Sequence, residues 1–192
     1  RRSSDLELIA AQALGCDAAV LGPVMPTPSH PGQPGIGWEG FAAMREHVAL
    51  PIYALGDQVP EIHPDAYVHP DAVIIGSVVI GAYSSVWPTA VLRGDDGFIY
   101  VGERTSVQDG TIVHTTWNHP TTIGNSCTIG HNVHLEGCTI EDRALVGSGS
   151  VVLHEVVVGA EAIVGANAMV PNRKVIPPLA MALGVPVTIK EH

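Results

Sequence analysis

The stretch Gly130-His131-Asn132-Val133-His134-Leu135-Glu136-Gly137-Cys138 holds most of the polar chemistry of the chain. Upstream stand His114 and an Arg93-Gly94-Asp95 turn. Neutral imidazoles and carboxylates are ligands for zinc and iron. An imidazole that titrates near neutrality is also a general base. His114 follows the apolar Val113, His131 lies two after Ile129, and Glu136 follows Leu135. The three apolar neighbours belong to one regular series, so the polar groups sit just off a repeating inward position. Metal binding on a repeat scaffold is the chemistry expected.

The series that must position them has a step of six. It runs through Ile62, Val68, Ile74, Ile80, Val86 and Leu92, resumes at Val101, Val107 and Val113, and resumes again at Ile123, Ile129 and Leu135. One step of five leads to Ile140, and sixes then continue through Val146, Val152, Val158, Val164 and Val170 to Ile176. Six fits neither a helix turn nor a hairpin meander. It predicts a hexapeptide β-helix, each flat side of a three-sided coil taking one hexad. At three steps per coil the series predicts about five coils. Stiff β-branched residues suit the inward, stacked slot. Gly76, Gly81, Gly102, Gly124, Gly130, Gly147, Gly159 and Gly165 recur just after it and are expected to permit tight corners and positive φ. Two interruptions flank the polar residues, three residues added around 93–98 and four around 114–120. Both are expected to leave the coil as loops. Pro177 and Pro178 are expected to end it, with a turn and one last strand over 179–190.

Composition agrees with a core-forming β protein. The 192 residues are 46% apolar and only 15% charged, with 21 Gly and 15 Pro for many corners. A net charge of −10 leaves no basic stripe for nucleic acid and disfavours an anionic membrane. Cys16, Cys127 and Cys138 make an odd set with no framework spacing. With no apolar run of spanning length and no signal-peptide layout, a reduced cytoplasmic setting is expected.

Residues 1–56 have another rhythm. A helix is expected over 5–14 with Leu6, Ile9, Ala10 and Ala13 on its inner face, then a strand over 18–22. A Pro- and Gly-rich loop, a second helix over 38–47 and a strand over 51–56 follow. Val20-Leu21-Gly22-Pro23-Val24-Met25-Pro26-Thr27-Pro28-Ser29-His30, with Gly37-Trp38-Glu39-Gly40-Phe41 after it, resembles the late part of thiamine phosphate synthase. That resemblance implies phosphate contacts from Thr27 and Ser29. This chain has His30 where the family usually has Lys. Two strands cannot close a barrel, so the segment reads as a remnant or fused fragment, with the second domain over 57–192.

Within that second domain, Arg93-Gly94-Asp95, Ser106-Val107-Gln108-Asp109-Gly110, Val113-His114, Gly130-His131 and Leu135-Glu136-Gly137-Cys138 occur in order. Together they resemble the γ-class carbonic anhydrase family over about 53–189. The resemblance implies an all-β, left-handed parallel β-helix assembled as a homotrimer. It implies zinc or iron between two subunits, with His114 and the Glu136 position from one and His131 from its neighbour. Arg93 and Asp95 would form an intersubunit ion pair. The implied reaction is reversible hydration of CO2 to bicarbonate by a metal-bound hydroxide, with Gln108 orienting the nucleophile. Where the family has a third His, this chain has Glu136. Two His and one Glu is a zinc-binding set, but its added negative charge should acidify water less, making hydration slow or lost.

His134 and His119 are further ligand candidates; Cys127 and Cys138 read as small core or corner residues, and Asp96, Glu103 and Asp109 as solvated or capping. Two other functions stay open. One is a non-catalytic trimer for assembly or binding. The other is a hexapeptide acyltransferase with His114 or His131 as general base.

Overall fold

The computed structural model describes residues 59–190 without interruption, and before them 3–16, 19–21, 39–40, 43–44, 48 and 52–54. The chain divides into two compact units, Arg1–Gln58 and Val59–His192.

In the first unit a helix spans Ser3–Ala13. Strands Ala19–Leu21 and Ile52–Ala54 pair in parallel, and residues 39–40 and 43–44 are helical. The inner face of the first helix differs from expectation. Leu8 is the buried position, while Ile9, Ala10 and Ala13 are exposed. Burial follows what packs on a helix, and a short helix with apolar residues on several sides does not announce which side that is. The Leu6 side chain and the loop carrying Thr27, Ser29 and His30 lie outside what the structure describes.

The second unit is a left-handed β-helix of about seven turns. The nineteen inward positions named above make just over six turns at three per turn, so the expectation of five was an undercount, and Ala182 opposite Val164 adds one position more. From Ile80 to Ile176 its inward residues are at most 1% exposed and form one continuous core, with Val68 and Ile74 partly buried against it and Ile62, on the first turn, exposed. Parallel ladders stack each turn on the next. On one face they run from Glu61–Ile62 to Val175–Ile176, on the second from Tyr67–Val68 to Met181–Leu183, and on the third from the start of Val73–Ile80 to Met169–Val170.

Positive φ recurs at the corners, but three residues past the inward one. It falls at Tyr83, Arg104, Ser126, Arg143, Glu161 and Leu179 along one edge, all non-glycine. Of the eight glycines named above only Gly76 has positive φ. The others are small because the next turn presses on them. A Cβ on Gly102 would lie 2.7 Å from the Gly124 backbone.

The two interruptions behave differently. Residues 93–98 stay in strand: Val73–Ile80 and Val91–Val101 run past a corner as a continuous pair with one register shift between Gly76 and Val78. The backbones close up there, since a Cβ on Gly76 would run into the Gly94 carbonyl oxygen. The second interruption does form a loop, pinched by a Thr116–His119 bridge, and Trp117 is 82% exposed on it. Pro177 and Pro178 do not end the coil. Met181–Leu183 adds one more parallel strand, Val164 opposite Ala182, and Thr188–Lys190 folds back antiparallel on it. The prolines fall between strands, where their missing N–H interrupts no ladder.

Candidate metal centre

Strand register places three polar side chains in one column. Arg93 lies opposite His114, and His114 opposite Glu136. They are 21 and 22 residues apart in sequence but one strand spacing apart in space. Each follows its inward residue, so all three occupy the outer edge of the third face. Thr121 fastens this edge. Its hydroxyl donates to the His114 carbonyl at 2.5 Å and accepts the Gly137 N–H at 2.8 Å.

Glu136 is the hub. His114 Nδ1 stands 3.3 Å from Oε1 and His134 Nε2 3.2 Å from Oε2. His154 Nε2 is 3.6 Å from Oε1, beyond a hydrogen bond but within an ion pair. The side chains of His114 and Glu136 are 18% and 24% exposed. Desolvation pushes the Glu136 carboxyl up, but hydrogen bonds from His134 and His114 and the nearby charge of His154 outweigh it, and the group sits below the usual carboxylate range.

His131 occupies another corner. It follows the second face, and its Nδ1 meets Asp109 Oδ2 at 3.0 Å. Its side chain is 53% exposed. Gln108 adjoins Asp109 at the end of Ser106–Val107. Arg93 Nη1 meets Asp95 Oδ2 at 2.9 Å inside one protomer. Two residues apart on one strand, they need no neighbour to pair.

Within one protomer the fold therefore joins Arg93, His114 and Glu136 in a column and holds His131 elsewhere. Among the described residues, no three His, Cys, Asp or Glu side chains of one chain form a group able to hold a metal ion. The His114–Glu136 pair fits as part of one. Two ligands about 2.1 Å from a tetrahedral zinc stand about 3.4 Å apart, close to the 3.3 Å observed. Cys127 and Cys138 are buried free thiols. Burial pushes the Cys138 thiol up to about 12, far from a thiolate ligand.

His154 is the residue that sequence reasoning missed. One standard coil after Glu136 falls on it, but the step of five puts Leu153 in the Glu136 column, and His154 approaches from one place further on. Asp109 was also undervalued, since its partner lies 22 residues away.

Comparison with known proteins agrees with this architecture. The bacterial transferase hexapeptide model (six repeats) matches residues 60–94, 120–154 and 137–172. A hexapeptide transferase family protein from Anaplasma phagocytophilum is 37% identical, with a TM-score of 0.66, over 68% of this chain and 77% of that one. A proposed acetyltransferase from Bacillus cereus is 34% identical, with a TM-score of 0.70, over 71% and 79%. The chain belongs to the hexapeptide-repeat family of left-handed β-helices.

Within that family its sequence is similar to two groups of curated proteins. Mitochondrial γ carbonic anhydrase 1 of Arabidopsis thaliana is 44% identical over 53% of this chain and 39% of its own length. Carnitine operon protein CaiE of Escherichia coli K12 is 43% identical over 56% and 55%. The chain thus spans about two fifths to just over half of these relatives. The thiamine monophosphate synthase model matches residues 2–70.

Proposed function

We propose that the β-helix is a γ-carbonic-anhydrase-like metalloprotein whose site is shared between adjacent copies of the chain. His114 and Glu136 of one protomer, with His131 of the next, would hold zinc or iron. When bound, the metal supplies a Lewis acid that makes water a nucleophile at neutral pH, for attack on CO2. Glu136 places a negative charge where the related enzymes are expected to carry a neutral imidazole, and it damps that effect. Hydration is accordingly slow. Asp109 accepts from His131 Nδ1 and leaves Nε2 with its lone pair free for a cation. Gln108, beside Asp109, would orient the water.

The observation that carries the reading is the Arg93–His114–Glu136 column, incomplete as a ligand set within one chain. Beside it on the third face runs a second column, Val73, Val91, Ile112, His134, Val151 and Met169, apolar but for one imidazole. Val73 and Ile112 are exposed in the lone protomer. A second copy seated there would cover them and deliver His131, and three copies would close the ring. Metal content of the purified protein, with His131→Ala as control, tests the site. Protein that stays metal-free after growth in zinc rejects it.

The acyltransferase reading is favoured only by the transferase names of the family model and of the solved structures. A thermal shift on adding coenzyme A would support it. No described helix is long and apolar enough to cross a membrane. The buried free thiols suit the cytoplasm, our proposed location. Residues 1–56 are proposed as a barrel fragment with no activity of its own.

A further inference from the structure

Three imidazoles meet Glu136 from three places in the chain. His134 comes from its own strand, His114 from the turn before and His154 from the turn after. We infer that His134 and His154 are positioning residues, which hold the Glu136 carboxylate in the pose that a shared cation requires. The inference rests on the metal-site reading and adds two residues to it.

A glutamate on the outside of a strand has several rotatable bonds, and fixing it costs entropy. Here both oxygens are engaged. Oε2 takes His134 Nε2 at 3.2 Å, while Oε1 faces His114 and His154. An ionised carboxylate only accepts, so His134 carries its proton on Nε2 in this contact. His154 is itself braced. Its ring stacks edge-on against His119 with centroids 5.1 Å apart. The His154 ring and the His119 Cβ both crowd Gly137, where a Cβ would fall 2.7 Å from His154 Cδ2 and 2.6 Å from His119 Cβ. The Thr115 hydroxyl donates to the His119 carbonyl at 2.8 Å and holds that loop closed. Imidazoles that served only as solvated surface would need none of this bracing. Partners of a ligand that orient it without touching the metal are a general feature of metal sites.

Cobalt(II) titration of the full chain, read by visible absorption, tests the assignment. His134→Ala and His154→Ala should each weaken cobalt binding by about tenfold or more, with the absorption bands in their wild-type places. His134→Gln retains an N–H donor and should bind within about threefold of wild type. Unchanged affinity in both alanine variants overturns the inference. So does a shift of the bands, which would make the residue a ligand. A wild-type chain that binds no cobalt defeats the metal-site reading instead. The positioning contacts are then judged on metal-free protein by long-range proton–nitrogen NMR. His134 should be protonated at Nε2, and the His134 and His154 ring signals should move in Glu136→Gln. Signals that stay in place overturn the inference, and this near-isosteric variant serves even if an alanine variant fails to fold.

Discussion

His131 and Asp109 face each other across one turn of the coil, Nδ1 to Oδ2 at 3.0 Å. The carboxylate selects the tautomer that leaves Nε2 unprotonated. We expect Asp109→Ala to weaken cobalt or zinc binding about 10- to 100-fold, and His131→Ala to remove it. Isothermal titration of the metal-free protein checks both. Equal affinities in Asp109→Ala and wild type would show that the pair has no part in binding.

A site divided between protomers makes a prediction about mixtures. His114→Ala and His131→Ala chains should each bind no metal alone. Unfolded together and reassembled, they should recover a fraction of intact sites. Metal content per trimer is the measurement. No recovery in confirmed mixed trimers would rule out a shared centre.

Restoring a third imidazole should raise activity. Glu136→His removes one negative charge from the donor set, and its water should ionise more readily. Stopped-flow hydration of CO2 should then exceed wild type by about tenfold or more. An equally inactive variant would point to a protein used for assembly.

The pH dependence of stability should carry the mark of Glu136. Its folded-state carboxyl lies below the ordinary value of about 4.3. The ionised form therefore stabilises the fold above that value, and the contribution falls away as pH drops through the lowered folded value. Melting of metal-free wild type and Glu136→Gln should differ at pH 6 and converge below about pH 3. A gap that widens on acidification would contradict the assignment.

Leu92 has no solvent exposure and lies within the stacked core. Leu92→Ala should cost about 2–5 kcal/mol, seen as a lower midpoint in urea. A cost under about 1 kcal/mol would mean the coil collapses around the gap.

The inward series was legible because one rule governs every turn. An apolar residue each sixth place meets its own kind on the next turn, and Val107, Ile129 and Val146 obey it without long-range information. The corners were less legible. The glycine at Gly102 answers to the Gly124 backbone one turn away, and a single sequence does not display that contact. For the same reason residues 93–98 looked like a loop. Nothing local says that Val73–Ile80 extends alongside to keep them in strand. At the site, His114 and Glu136 stood out because each follows an inward residue. His154 did not, because the step of five displaces the count by one. That displacement sets His154 beside the carboxylate's column and not within it.

The coil also sets rules for how this chain can vary. His114 and Glu136 are neighbours only while the residues between them complete one circuit. A single residue gained or lost there, unless absorbed at a corner, would send one group to the opposite wall. A whole circuit added toward either end would leave the pair untouched. Length is therefore cheap to change at the tips and costly beside the centre, so natural variants should differ in circuit number before they differ in the spacing of these two residues.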